Sequence, residues 1–168
     1  MCKDFPKALS QKLSFTLGPT VSSTLSVPVD WVVSLCAILP CVRQHTAMCV
    51  FKCLTGGWTT SHRMHEPDRL GCIFGCREQH DEIGHYFLCS PLWQIAGEAL
   101  GVQAPLDLTS RLCLCSPTPI QARLLALVFQ LYHHTKSVAK EQGGAHTLGS
   151  RHVQRIAFES ARTFVNHV

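Results

Sequence analysis

Cys72-Ile73-Phe74-Gly75-Cys76, followed by Asp81-Glu82-Ile83-Gly84-His85-Tyr86-Phe87-Leu88-Cys89, spells C-x3-C-x8-H-x3-C. Thiols and imidazoles are the donors of tetrahedral structural zinc sites, and four of them leave no coordination position for water. Gly75 sets a turn former inside the first pair. Asp81 and Glu82 read as the cap and first turn of a helix, which would place His85 and Cys89 four apart on one face, able to grip one ion. The pattern predicts a knuckle in which a turn carrying two thiols faces a helix carrying an imidazole and a thiol. His80 competes with His85 for the third place. Buried free thiols beside a surface histidine would give the same letters, since ten cysteines and ten histidines in 168 residues produce some pairings by chance. The ordered pairing, the polar run from Arg77 to Glu82 and Pro91 soon after the last ligand favour a metal.

Outward from the knuckle, the hydrophobic pattern is helical. Ser90-Pro91-Leu92-Trp93 opens a short helix to about Leu100, with Ser90 as cap and Pro91 in the first turn. Residues 102–118 read as a loop holding the apolar turn Leu112-Cys113-Leu114-Cys115, whose thiols alternate with leucine and default to core. Thr118-Pro119-Ile120-Gln121 starts the strongest helix, running to about Glu141 with Leu124, Leu125, Val128, Phe129, Leu131 and Tyr132 as a broad apolar face. Gly143-Gly144 ends it. A last helix over Ser150–Val165 turns Val153, Ile156, Ala157, Ala161 and Phe164 inward and Arg151, Arg155 and Arg162 outward.

Toward the N-terminus, Asp30 caps a helix from Trp31 to about Leu39. A second runs from Val42 to Leu54 and stops at Gly56-Gly57. Cys49 and Cys53 on it resemble a metal pair, but their apolar neighbours make them core thiols. Residues 1–28 are poorly patterned, with at most a short helix carrying Phe5, Leu9, Leu13 and Phe15 that Gly18-Pro19 would end. The expected organisation is that segment, helical residues 29–57, the knuckle with its flanks over 58–93 and helical residues 94–168. Residues 29–168 form one unit: a mainly α domain with one central knuckle and no extended sheet.

The composition is globular, with 46% hydrophobic and 15% charged residues. The net charge of +4 is small, but it is unevenly spread. Residues 65–110 carry two basic against seven acidic side chains, a net of −5, whereas residues 111–168 carry seven against two, a net of +5. A phosphate-binding surface therefore belongs in the C-terminal third. Met1-Cys2-Lys3-Asp4-Phe5-Pro6-Lys7 lacks the look of a secretory leader. The apolar run Trp31–Val42 is too short to span a membrane, holds Pro40, and reads as core. The expectation is an intracellular, reducing compartment, nuclear or cytoplasmic, with metal-bound and free thiols.

With these pieces placed, Trp58-x-Thr60-Ser61-x-Arg63-Met64, Cys72-x-Phe74-Gly75-Cys76, Asp81, His85-Tyr86, Cys89 and Trp93 resemble the zinc-binding segment downstream of the polymerase in non-LTR retrotransposon reverse transcriptases. The resemblance is sharp over residues 58–93. It implies zinc ligands at Cys72, Cys76, His85 and Cys89, and a segment that helps to grip template RNA or target DNA. Two-metal nucleotidyl transfer needs paired carboxylates, and no Asp-Asp occurs in the chain. The chain thus looks like a detached or degenerate piece that keeps the grip and lacks the catalyst, and no enzyme is expected. His133-His134 points two ways from one helix and reads as a surface or boundary pair. The leading expectation is a non-catalytic zinc domain with weak, sequence-independent affinity for RNA or DNA. Phosphate contacts would come from Arg151, Arg155 and Arg162, with Trp58, His62 and Arg63 beside the knuckle touching unpaired bases. The alternatives are a structural zinc module that docks a protein partner, and a retroelement relic without selected activity.

Overall fold

The computed structural model describes residues 5–24, 31–61, 63–66, 70–76, 79–142 and 149–168. Asp30, His62, Arg77, Glu78 and Gly143-Gly144 lie outside the described residues. Eight α-helices follow one another: α1 (Phe5–Thr24), α2 (Trp31–Ile38), α3 (Gln44–Leu54), α4 (Ile83–Leu88), α5 (Ser90–Leu100), α6 (Leu108–Arg111), α7 (Pro119–Glu141) and α8 (Ser150–Phe164). Among the described residues there is no strand, and the only β pairing is one isolated antiparallel bridge between Gly71 and His80. The domain is mainly α, as the periodicity requires.

The long helix α7 is the axis. Thr118 caps it with a reciprocal box: its hydroxyl accepts from the Gln121 N–H, while the Gln121 side chain accepts from the Thr118 N–H. Three helices, α3, α5 and α8, pack on α7, and α5 also meets α8. Their apolar faces close on Leu124, Leu125, Val128, Leu131 and Tyr132, all wholly or almost wholly buried. Trp58, just past α3, sits in the middle with none of its surface exposed. Its ring stacks on Tyr86 and meets Phe87 and Phe129 edge-on, and its indole N–H donates to the Cys53 carbonyl.

The structure departs from the sequence reading in several elements. α1 does not stop at Gly18-Pro19 but continues to Thr24: one missing donor at Pro19 removes a rung without ending the helix. Leu9 and Leu13 are buried, as expected, but Phe15 is 81% exposed. Two residues beyond Leu13, about 200° round the helix, it points to the opposite side. α3 begins at Gln44 rather than Val42, because Leu39–Cys41 forms a 3-10 turn first. The loop 102–118 contains the additional one-turn helix α6, whose cap is Asp107: its carboxylate accepts from the Ser110 N–H. Helix α8 ends at Phe164, with Val153, Ala157 and Ala161 buried and Ile156 and Phe164 partly covered.

Candidate metal centre

The knuckle is a short hairpin locked onto two helices. The Cys72 N–H donates to the Gln79 carbonyl and the Asp81 N–H to the Leu70 carbonyl, both at 2.8 Å, so residues 70–72 and 79–81 run antiparallel. At the tip the Gly75 N–H reaches the Cys72 carbonyl at 3.0 Å, and Gly75 itself has φ +86°, a conformation open to glycine. Helix α4 carries His85. Cys89 lies in extended conformation at the junction where α4 ends and α5 begins. The imidazole and thiol are thus not on one continuous helix face, as the i,i+4 reading had it, but the bend at Cys89 still brings its sulfur to the cluster. Cys89, rather than Ser90, is the cap of α5, and its carbonyl accepts from the Trp93 N–H.

One ligand atom each from Cys72, Cys76, His85 and Cys89 lies within 4.8 Å of every other. The Sγ atoms of Cys72 and Cys89 are 3.8 Å apart and those of Cys76 and Cys89 3.6 Å apart. A disulfide would need about 2.05 Å. Thiolates about 2.3 Å from one tetrahedral ion stand about 3.8 Å from one another. The spacing is therefore that of sulfurs arranged around a common centre. Cys72, His85 and Cys89 are buried and Cys76 is half-buried. The Nε2 atom of His85 is buried with no hydrogen-bond partner, and a buried orphan of this kind is costly unless something accepts its lone pair. The donor set fits a structural metal ion. His80, the competitor, is exposed and contributes its backbone to the bridge instead.

The thiol of Cys72 falls to about 4, chiefly because Cys89 donates to it, against the opposing effect of burial. Cys89 rises in return, through that same bond and then burial, and burial raises Cys76. Three close thiolates would repel one another, whereas a divalent cation would replace the protons and admit all three. The remaining buried thiols behave otherwise. Burial raises Cys49 and Cys53 and carries Cys113 to about 12, so these are core sulfurs, as their apolar neighbours suggested. Cys113 is buried, as expected, but Cys115, also expected in the core, is exposed.

The residue that sequence reasoning misplaced is Asp81. It does not cap α4; Glu82 holds that position, without a side-chain bond. Asp81 is wholly buried and accepts from the Ser61 N–H (2.7 Å), the Tyr86 hydroxyl (2.6 Å), the Tyr132 hydroxyl (3.1 Å) and Lys136 Nζ (2.8 Å). Burial alone would raise its carboxyl, but the bonds from Lys136, Tyr86 and Ser61 outweigh it and hold the group below its ordinary value. Lys136 also donates to the Thr59 carbonyl. This single carboxylate ties the knuckle, the segment after α3 and the axis α7 together. Only its place near the metal motif hinted at importance; a lysine 55 residues away leaves no local signal.

The expected base contacts fare unevenly. Trp58 cannot stack on a base, because every face is taken by core aromatics. Arg63 is exposed, with Nη1 donating to the Trp58 carbonyl at 2.8 Å. Arg151, Arg155 and Arg162 are all exposed on α8, with Arg155 3.9 Å from Glu159 in a solvent-facing pair. α8 is built onto the knuckle: the Gln154 side chain donates to the Phe74 carbonyl at 2.7 Å, and Gly75 packs directly against Ser150. Among the described residues no helix is long and apolar enough to cross a membrane. No protein-family model, curated protein or solved structure matches this chain.

Proposed function

We propose that the chain is a non-catalytic zinc-binding domain derived from a reverse-transcriptase zinc segment, which holds RNA or DNA weakly and without sequence preference through α8. The observation that carries the reading is the cluster of Cys72, Cys76, His85 and Cys89, with the His85 Nε2 buried and without a hydrogen-bond partner. Three thiolates and an imidazole suit zinc and fill its tetrahedron, leaving a centre of charge −1 that polarises no substrate. The likeness of residues 58–93 to the retroelement segment supports the nucleic-acid part, as does the exposed basic row of α8 fixed to the knuckle through Phe74 and Gly75. Base stacking by Trp58 is no part of the reading.

Metal content comes first: native mass spectrometry of chelator-free protein is expected to give one zinc per chain, and none for Cys76→Ser. Binding to single-stranded RNA and to duplex DNA is then titrated against salt. Three phosphate contacts give a log–log slope of roughly −2 for single strands and −3 for duplex, which Arg151→Ala/Arg155→Ala/Arg162→Ala flattens. Binding that ignores both salt and the triple substitution would remove the nucleic-acid reading. A second reading, a zinc-stabilised module that docks a protein, is favoured by the exposed Phe15 and Leu106, 81% and 86% open; a zinc-loaded chain without affinity for either nucleic acid would bring it forward.

A further inference from the structure

Arg111 is a buried cation, only 7% exposed. Among the described residues no carboxylate stands within ion-pair distance of it; the ion pairs there are Lys136 with Asp81 and Arg155 with Glu159. Its nearest acidic neighbour in sequence, Asp107, is committed to capping α6 and to the Thr109 hydroxyl. The guanidinium instead donates from Nε to the Pro105 carbonyl at 2.6 Å and from Nη1 to the Phe87 carbonyl at 3.0 Å, and lies 4.9 Å from the Trp93 ring centre. Phe87 and Trp93 bracket Cys89 in sequence, and the Trp93 N–H closes onto the Cys89 carbonyl. Arg111 is thereby held against the α4–α5 junction that presents the Cys89 sulfur. Burial draws the guanidinium below its ordinary value. A desolvated cation without a carboxylate is expensive, unless the opposite charge is supplied by another group.

We propose that Arg111 is the positioning residue that balances the surplus negative charge of the three-thiolate metal centre, facing it across the Phe87–Trp93 bend. The inference rests on the zinc reading. It accounts for why an arginine is buried at the end of a one-turn helix, and it makes metal affinity depend on a side chain that is not a ligand, as residues behind a metal's own ligands commonly do.

The test is zinc affinity, by competition with a chromogenic chelator, for the full chain. Arg111→Met is expected to weaken zinc about tenfold or more, while Arg111→Lys, which keeps the charge, stays near wild type. The decisive comparison adds Cys76→His, which exchanges one thiolate for a neutral imidazole and brings the centre from −1 to 0. In that background Arg111→Met is expected to cost little. Equal losses in both backgrounds would mean that Arg111 merely packs, and would overturn the proposal. Should Arg111→Met fail to fold with three thiolates but fold with two, charge is the cause; failure in both is packing. If Cys76→His takes up no zinc, the lysine variant decides, since a loss shared by lysine and methionine also means packing. A wild-type chain that binds no zinc ends the zinc reading itself, a different result from zinc bound equally well with and without Arg111.

Discussion

The polar side chains that matter most are read from their partners rather than from their neighbours in sequence. His133 looked like half of a boundary pair. It is half-buried on Phe129, with Nδ1 3.3 Å from the Thr59 hydroxyl and Nε2 enclosed without a partner. Burial first, and then the charges of Lys136, Lys52 and Arg63, bring its pKa down to about 4. An unfolded histidine titrates near 6.5. Between these values the unfolded chain binds more protons, so stability rises with pH through that window and falls as pH drops from about 6.5 toward 4. The full effect is up to roughly 3 kcal/mol. His133→Gln should flatten the fall in melting temperature between pH 7 and pH 5. An unchanged slope would mean the imidazole is not held neutral. Among the thiols the motif was legible because ligand spacing is local. Cys76→Ser should lose the metal and destabilise the chain, while Cys115→Ser, an exposed thiol outside the cluster, should change the melting temperature little; equal effects would undo the ligand assignment.

Secondary structure was largely legible where periodicity and caps agree, as in α7 with its Thr118–Gln121 box. It was not legible in α1, which runs on through Pro19 to Thr24, or where a single Asp107 cap makes one turn of helix. The joint between the knuckle and α8 belongs to this second kind. A Cβ on Gly75 would lie 2.4 Å from the Ser150 Cβ, and the glycine already sits at φ +86°. Gly75→Ala is therefore expected to cost roughly 1–3 kcal/mol and to raise hydrogen exchange in the first turn of α8. Adding Ser150→Gly removes the collision but not the backbone strain, so it should restore only part of the loss. No rescue would mean that strain alone operates there. The Asp81–Lys136 tie makes a second joint, between knuckle and α7. Lys136→Met strands a buried carboxylate and should cost about 3–5 kcal/mol. Asp81→Asn with Lys136→Met should cost less than the two separate losses added together, as expected of partners in one network.

At the scale of the molecule, the metal centre is not an appendage. Cys72, Phe74, Tyr86, Phe87 and Cys89 belong to the same continuous core as Trp58, Phe129 and Tyr132, and α8 begins against the turn between the first two ligands. The sequence suggested a local staple set among helices; the packing makes it part of their shared interior, because Tyr86 packs on Tyr132 of α7 while Phe74 and Phe87 pack on Tyr86 and Trp58. A structural zinc ion supplies on the order of 10 kcal/mol of apparent folding free energy, comparable to the ~5–15 kcal/mol that is the whole net stability of a typical domain. On the zinc reading proposed above, removal of the metal by a chelator should therefore not merely loosen the knuckle. It should abolish the near-ultraviolet circular dichroism of the Trp58–Tyr86 stack together with much of the far-ultraviolet helix signal, in one transition, with both returning when zinc is restored. Loss of metal with the aromatic signal intact would place the folding energy in the helices alone. Loss of the aromatic signal with the helix signal retained would mean that α3, α5, α7 and α8 stand without the knuckle.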